Sequence, residues 1–305
     1  DTVTFNAGIA ACQESGSWHV ACELFSHMNS TQVARDSATF NACISACAVA
    51  GRWQVALSLL SIMDSVRVAR DIITIGAGID ACGKAGQWQL ALILLSSVVS
   101  GKVPPNTIAY SACISACEKA SKWQMALWLI SNLESVRVVR DAAVVSSGIS
   151  ACEKGGEWEL ALALMSEMES ARVAHDVLSF SAGISACEKA GEWQMALALF
   201  SEMASARVAP NTITFSAGIS ACEKAGEWQA ALELLASMFT AKQTPNIITF
   251  NASISACESG CAWQMALALF SHMASATLTP DTITFNAGIS ACEKGERAKS
   301  SDPNP

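Results

Sequence analysis

What this chain lacks narrows the field before anything it contains. No apolar run reaches the roughly eighteen residues that a membrane-spanning helix needs. Although the hydrophobic share is 51% and mean hydropathy is +0.34, Glu, Lys, Gln or Ser interrupts every stretch. A Gly-rich phosphate loop, a metal-ligand motif and a nucleophile paired with a base are all missing, and His19, His27, His175 and His272 stand isolated from one another. These absences argue against catalysis and against a resident cofactor or small-molecule substrate. There is no basic excess either, with 19 Lys and Arg against 27 Asp and Glu. The chain starts on Asp1 in mid-pattern, without an initiator Met or a secretory or transit segment, so a piece of a longer protein is expected.

What is present is a period. Cys12, Cys47, Cys82, Cys117, Cys152, Cys187, Cys222, Cys257 and Cys292 are spaced by 35 residues, and Trp18, Trp53, Trp88, Trp123, Trp158, Trp193, Trp228 and Trp263 keep the same step. Counting from Thr2 gives eight complete units over residues 2–281 and a partial ninth over 282–295, followed by a polar tail at 296–305 that is expected to be disordered. A fixed period of this length marks a linear array rather than two ordinary domains. Nine of the 13 cysteines occupy one repeat position, far apart along the array, which reads as reduced core thiols and not as a disulfide framework. Cys43/Cys47, Cys113/Cys117 and Cys257/Cys261 lie four apart on a helical face, but no clustered histidines complete a zinc set.

Within the unit from Val177 to Asn211, Phe180, Ile184 and Cys187 recur at i, i+4 and i+7. Trp193, Ala196, Leu197, Phe200 and Met203 then recur at i, i+3, i+4, i+7 and i+10. Both stretches are amphipathic helices by period. Asp176 is an N-cap type before the first, Gly191 ends it, and Pro210 blocks continuation after the second. One hairpin cannot bury its own apolar stripe, whereas stacked copies share a continuous core. The expected fold is all-α: a right-handed α-solenoid superhelix of stacked helical hairpins. The glycine recurring at Gly8, Gly78, Gly148, Gly183, Gly218 and Gly288, with Cys43, Cys113 and Ser253 as larger substitutes, is expected to mark close approach between first helices. The tryptophans share the apolar stripe and read as core, as do the methionines that close the second helices.

The run "TITFSAGISACEKAGEWQAALELLASM" from Thr212 to Met238 combines a Thr-Phe-Ser opening, a Lys-Ala-Gly turn and an Ala-Leu pair in the second helix, and units close on Pro-Asp or Pro-Asn. With the 35-residue step, it resembles the pentatricopeptide repeat family over residues 1 to about 295. A tetratricopeptide array, with a period of 34, fits the spacing less well.

The resemblance implies single-stranded RNA binding at one base per repeat, read by the fifth and last residues of each unit. Here these are Asn6 with Asp36, Asn41 with Asp71, Gly76 with Asn106, Ser111 with Asp141, Ser146 with Asp176, Ser181 with Asn211, Ser216 with Asn246 and Asn251 with Asp281, while Asn286 opens the partial unit. Asp or Asn before a helix is also an N-cap, and the two cap about equally well, so the choice between them is free to serve a second purpose. An ionised Asp only accepts hydrogen bonds, whereas Asn also donates. Asp therefore suits U or G, and Asn suits C or A. With Asn at the fifth position favouring a pyrimidine and Ser or Gly a purine, the expected tract is 5′-U-U-A-G-G-A-A-U-pyrimidine-3′, the third base being the least determined because Gly76 has no side chain.

The resemblance further implies that Val3, Ile73, Ile108, Leu178, Ile213, Ile248 and Ile283 clamp the bases, with Ala38 and Ala143 departing from the bulky pattern. Taken alone, these residues read equally well as apolar contacts of the first helical turn. Lys84, Lys119, Lys154, Lys189, Lys224 and Lys294, recurring near the ends of the first helices, would meet phosphates, while Glu14, Val49 and Ser259 replace the lysine elsewhere. The family points to organellar RNA processing, editing, stability or translation, in a mitochondrion or chloroplast, with protein partners in an RNA-processing complex. The alternative is a protein- or peptide-binding solenoid. A peptide groove would vary through apolar and charged residues of many sizes, whereas the varying positions here hold only Asn, Ser, Gly and Asp.

Overall fold

The computed structural model describes residues 1–100, 106–133, 135, 140–275 and 278–300. These form seventeen α-helices and no strand. The first helices of the repeats are α1 (Thr2–Ser15), α3 (Ser37–Val49), α5 (Ile72–Lys84), α7 (Thr107–Lys119), α9 (Ala142–Gly155), α11 (Val177–Ala190), α13 (Thr212–Ala225), α15 (Ile247–Ser259) and α17 (Thr282–Ser300). The second helices are α2 (Trp18–Ser30), α4 (Trp53–Ser65), α6 (Trp88–Ser100), α8 (Trp123–Asn132), α10 (Trp158–Ser170), α12 (Trp193–Ser205), α14 (Trp228–Thr240) and α16 (Trp263–Ser275). None is long and apolar enough to cross a membrane. The final helix includes residues 296–300, and 301–305 lie outside the described residues.

The helices start and stop where local chemistry dictates. Asp36, Asp71, Asp176, Asn211 and Asn246 each cap a first helix in a reciprocal capping box with the hydroxyl residue three positions on. Gly16, Gly191 and Gly226 close first helices in the left-handed conformation, with φ of 65°, 81° and 77°, which glycine adopts without a Cβ penalty. Ser121 and Cys261 take up the same turn at φ 54° without that freedom.

Two compact units divide the chain, Asp1–Gly155 and Gly156–Pro305. In the first, α1, α3, α5, α7 and α9 pack each on the next, while α2, α4, α6 and α8 each bridge their own first helix and the one that follows. The second unit repeats the scheme: α11, α13, α15 and α17 form the row of first helices, and α12, α14 and α16 bridge them. Second helices do not pack on one another among the described residues. Within each unit, the row of first helices is what brings the fifth residue of one repeat beside the cap of the next.

Phe40, Phe180, Phe215 and Phe250 are fully buried, each worth about 2–3 kcal/mol of apolar transfer. The periodic cysteines line the same core. Burial pushes the thiols of Cys82, Cys117, Cys187, Cys222 and Cys257 up to about 11, which keeps them protonated and inert. The tryptophans pack against the following first helix: a Cβ at Gly155 would come within 2.3 Å of Trp123 Cδ1, and one at Gly260 within 1.9 Å of Trp228 Cδ1.

The recurring glycine of the first helix departs from expectation. A Cβ at Gly78 would meet Leu60 of α4 at 2.7 Å and Leu94 of α6 at 3.4 Å, and one at Gly183 would meet Met165 of α10 at 2.5 Å. The close approach is therefore to side chains of second helices, not between first helices. Cys43, at the same repeat position, reaches the Ala21 carbonyl of α2 at 3.7 Å.

Candidate nucleic-acid interface

At each of these caps, one side-chain atom serves the helix and the second does not. Asp36 Oδ1 accepts from the Thr39 amide at 2.9 Å, and Asp71 Oδ1 from the Thr74 amide at 2.7 Å. Asn106, Asn211 and Asn246 offer their Oδ1 in the same way to the amides of Ala109, Thr214 and Thr249, each at 2.9 Å. The second atom is thus an anionic oxygen in Asp and an NH2 donor in Asn. The capping bonds also hold the acids ionised. The Thr39 amide keeps the Asp36 carboxyl below its ordinary range, and the amide and hydroxyl of Thr284 do the same for Asp281. At Asp71 burial pushes upward, but the Thr74 hydroxyl and amide outweigh it and the net shift is downward.

The fifth residues meet these caps where they are asparagines. The Asn6 amide donates to Asp36 Oδ1 at 3.2 Å, that of Asn41 to Asp71 Oδ2 at 3.1 Å, and that of Asn251 to both Asp281 oxygens at 3.1 and 3.2 Å. A residue unnoticed in the sequence completes each trio. The hydroxyls of Thr39, Thr74 and Thr284 reach the Oδ1 of Asn6, Asn41 and Asn251 at 2.7, 2.5 and 2.5 Å, and they also lie against the capping carboxylate. These threonines are fully buried. A hydroxyl at the third position of most units was the available signal, as in the Thr-Phe-Ser opening of the unit that starts at Thr212.

Where the fifth residue is Ser, the arrangement differs. Ser181 Oγ lies 2.8 Å from Thr214 Oγ1, but Ser111 and Ser216 turn back to carbonyls of their own helices, those of Ile108 and Thr212, at 3.0 and 2.7 Å. Asp141 caps α9 through the Val144 amide at 2.8 Å. Ser146 belongs to the first unit and its partner Asp176 to the second. Asn286 is exposed on α17.

The seven clamp residues are not core. Val3, Ile73, Ile108, Leu178, Ile213, Ile248 and Ile283 are all at least 55% exposed. Between Ile73 and Ile108 opens a cavity of about 330 Å³, bordered by Gly76, Ala77, Asp80 and Asn106. Among the lysines, Lys84 is ion-paired with Asp80, Lys154 with Glu118, Lys224 with Glu188 and Lys294 with Glu258, at 2.7–2.9 Å. The last three pairs link adjacent first helices. Lys119 finds Gly83 at the glutamate's repeat position, is exposed, and makes no ion pair among the described residues.

Comparison with known families agrees with this construction. A model described as the PPR repeat matches residues 38–68, 108–137 and 149–173, the PPR repeat family model matches 175–224, and the pentatricopeptide repeat domain model matches 218–259, together more than half of the chain. The chain belongs to the pentatricopeptide repeat family. No curated protein matches it in sequence. Among solved structures, it is similar to the pentatricopeptide repeat protein PPR10 in complex with an 18-nt psaJ RNA element, at 17% identity and a TM-score of 0.78, over 98% of this chain and 44% of that one. The crystal structure of PPR10 from maize matches at 19% identity and a TM-score of 0.62, over 98% and 48%. The PPR domain of Arabidopsis thaliana protein-only RNase P 1 in complex with tRNA matches at 16% and 0.51, over 56% and 90%. These likenesses establish the repeat fold, and the chain spans less than half the length of the PPR10 chains it matches. Within that fold, the pentatricopeptide hairpins set fifth residue, third-position hydroxyl and cap side by side at Asn6, Asn41 and Asn251.

Proposed function

We propose that this array binds single-stranded RNA, one base per repeat, with the fifth and last residues of each unit as the reading pair. The observation that carries the reading is the division of labour at the caps: Oδ1 holds the helix, and the second atom, an acceptor in Asp and a donor in Asn, is the one able to discriminate a base N–H from a bare ring nitrogen. At Asp71 and Asp281 that second atom also accepts from the Asn41 and Asn251 amides. The exposed clamp residues support it, since seven branched apolar side chains at one repeat position have no role in the core. So does the cavity between Ile73 and Ile108, open where Gly76 contributes no side chain. The relatives solved with an RNA element and with tRNA point the same way. Membership of the family extends the proposal to organellar RNA processing, editing, stability or translation.

Gel-shift titration against the nonamer 5′-UUAGGAAUU-3′, its shuffled counterpart and the matching duplex tests this. Preference for the single-stranded tract is expected. Equal binding of all three removes the code, and binding of none favours a peptide groove.

The paired lysines modify the expected salt dependence. Six unpaired lysines would give a log-log slope of about −4, at roughly −0.7 per phosphate contact on single strands. Because Lys84, Lys154, Lys224 and Lys294 must first leave a carboxylate, the slope is expected to be shallower. Glu188→Gln releases Lys224, so that variant is expected to bind RNA about 2–5-fold more tightly, with a slope steeper by roughly 0.7. Unchanged affinity and slope in Glu188→Gln would show that Lys224 does not meet phosphate.

A further inference from the structure

In the second repeat a built-in cation serves the junction between second helix and connector. The Arg70 guanidinium pairs with Asp64 of α4 and donates to the Leu60 carbonyl at 3.1 Å. Three periods along the chain, Glu169 stands at the position of Asp64 and His175 at that of Arg70, while Glu202 takes the place that Ser97 holds one repeat after Arg70. The guanidinium is gone and a second carboxylate has arrived.

The three side chains converge. A carboxylate oxygen of Glu169 on α10, one of Glu202 on α12 and a ring nitrogen of His175 in the connector all lie within 4.8 Å of one another. Independently of the acids, both ring nitrogens of His175 are buried and neither has a hydrogen-bond partner. An orphaned imidazole facing two acids is a site short of a ligand, since buried nitrogens of this kind are ordinarily satisfied.

We propose that Glu169, His175 and Glu202 bind one divalent transition-metal ion of the zinc type, tying the fifth repeat to the sixth. Two carboxylates and a neutral imidazole balance a 2+ charge, and the ring nitrogen selects zinc-like ions over magnesium or calcium. Metal–ligand bonds of about 2.0–2.2 Å place tetrahedral ligand atoms roughly 3.4 Å apart, so small side-chain adjustments close the triad and leave the fourth position to water.

Co2+ is the suitable probe, because its absorption separates nitrogen and oxygen ligation from thiolate ligation in a chain with 13 cysteines. Titration of the whole chain under reducing conditions is expected to yield a one-to-one complex with d–d bands and no thiolate charge-transfer band. A rise in Tm that EDTA reverses should accompany it. His175→Arg reinstates the guanidinium of the second repeat, and Glu202→Gln removes one anionic ligand. Both variants are expected to keep the Tm of the metal-free parent or exceed it. Both should weaken Co2+ binding by more than about 100-fold, beyond the 10–100-fold that loss of an outer-shell partner costs. A thiolate band, parental affinity in either variant, or no complex at millimolar Co2+ would overturn the proposal.

Discussion

Replacing Ser181 with Asn and Asn211 with Asp in one protein is expected to turn the preferred sixth base from A to U, with a swing in relative affinity of about 10–100-fold, the worth of one or two discriminating hydrogen bonds. The parent offers an Asn211 whose oxygen is committed to the Thr214 amide, leaving the NH2 to donate toward a bare ring nitrogen. Asp at that position keeps the cap and presents an acceptor to the N–H of uracil instead. Thr214 already occupies the third position, so the double variant completes the trio seen in Asn41, Asp71 and Thr74. Room for the larger amide is available in kind, since Asn251 sits at the equivalent position with 9% exposure against 7% for Ser181. Titrating parent and variant with RNAs that differ only at the sixth base reads the swing, and thermal melts should barely move. An absence of base preference in both proteins would sink the reading pair.

The second large effect is expected from a residue that touches no base. Thr74→Val keeps the side-chain shape and removes the proton shared between Asn41 Oδ1 and Asp71 Oδ1. The Asp71 cap survives through the Thr74 amide at 2.7 Å, so the helix start is retained. Asn41, however, loses the bond that orients its amide, and its NH2 is no longer held toward Asp71. The expected outcome is a stability loss of about 1–2 kcal/mol for a buried bond with one partner left unpaired, together with roughly tenfold weaker discrimination at the second base. Thr74→Ser should restore discrimination, because it returns the hydroxyl. If Thr74→Val destabilises the fold yet leaves base preference intact, the threonine is a packing residue only.

The legible part of this molecule was the part built from local rules. Period, helix ends and caps follow from residues a few positions apart: Asp176 and Gly191 were readable as the bounds of α11, and Trp193 as the start of α12, because caps and amphipathic spacing act within one or two turns. Contacts across repeats were harder. Gly183 signalled close approach, but whether a first or a second helix closed on it depends on how hairpins nest, and it is Met165 of the preceding second helix. The partners of Lys154 and Lys224 lie 36 residues away, one more than the period, so a search for equal positions passes over Glu118 and Glu188. The exposure of Ile73 and Ile108 was equally undetermined, since a branched apolar residue in a first helical turn faces core or solvent according to what packs beside it.

By itself, then, the sequence determined that the chain is a row of near-identical helical hairpins with a cap residue before each first helix, because propensity, spacing and capping are properties of neighbours along the backbone. Only the tertiary structure decided which atoms of those caps hold the helix, which hydroxyl braces Asn41 against Asp71, which lysines are already paired, and that His175 lies near Glu169 and Glu202. Those outcomes depend on the offset between stacked hairpins, a geometry set by core packing across repeats and written in no single stretch of residues.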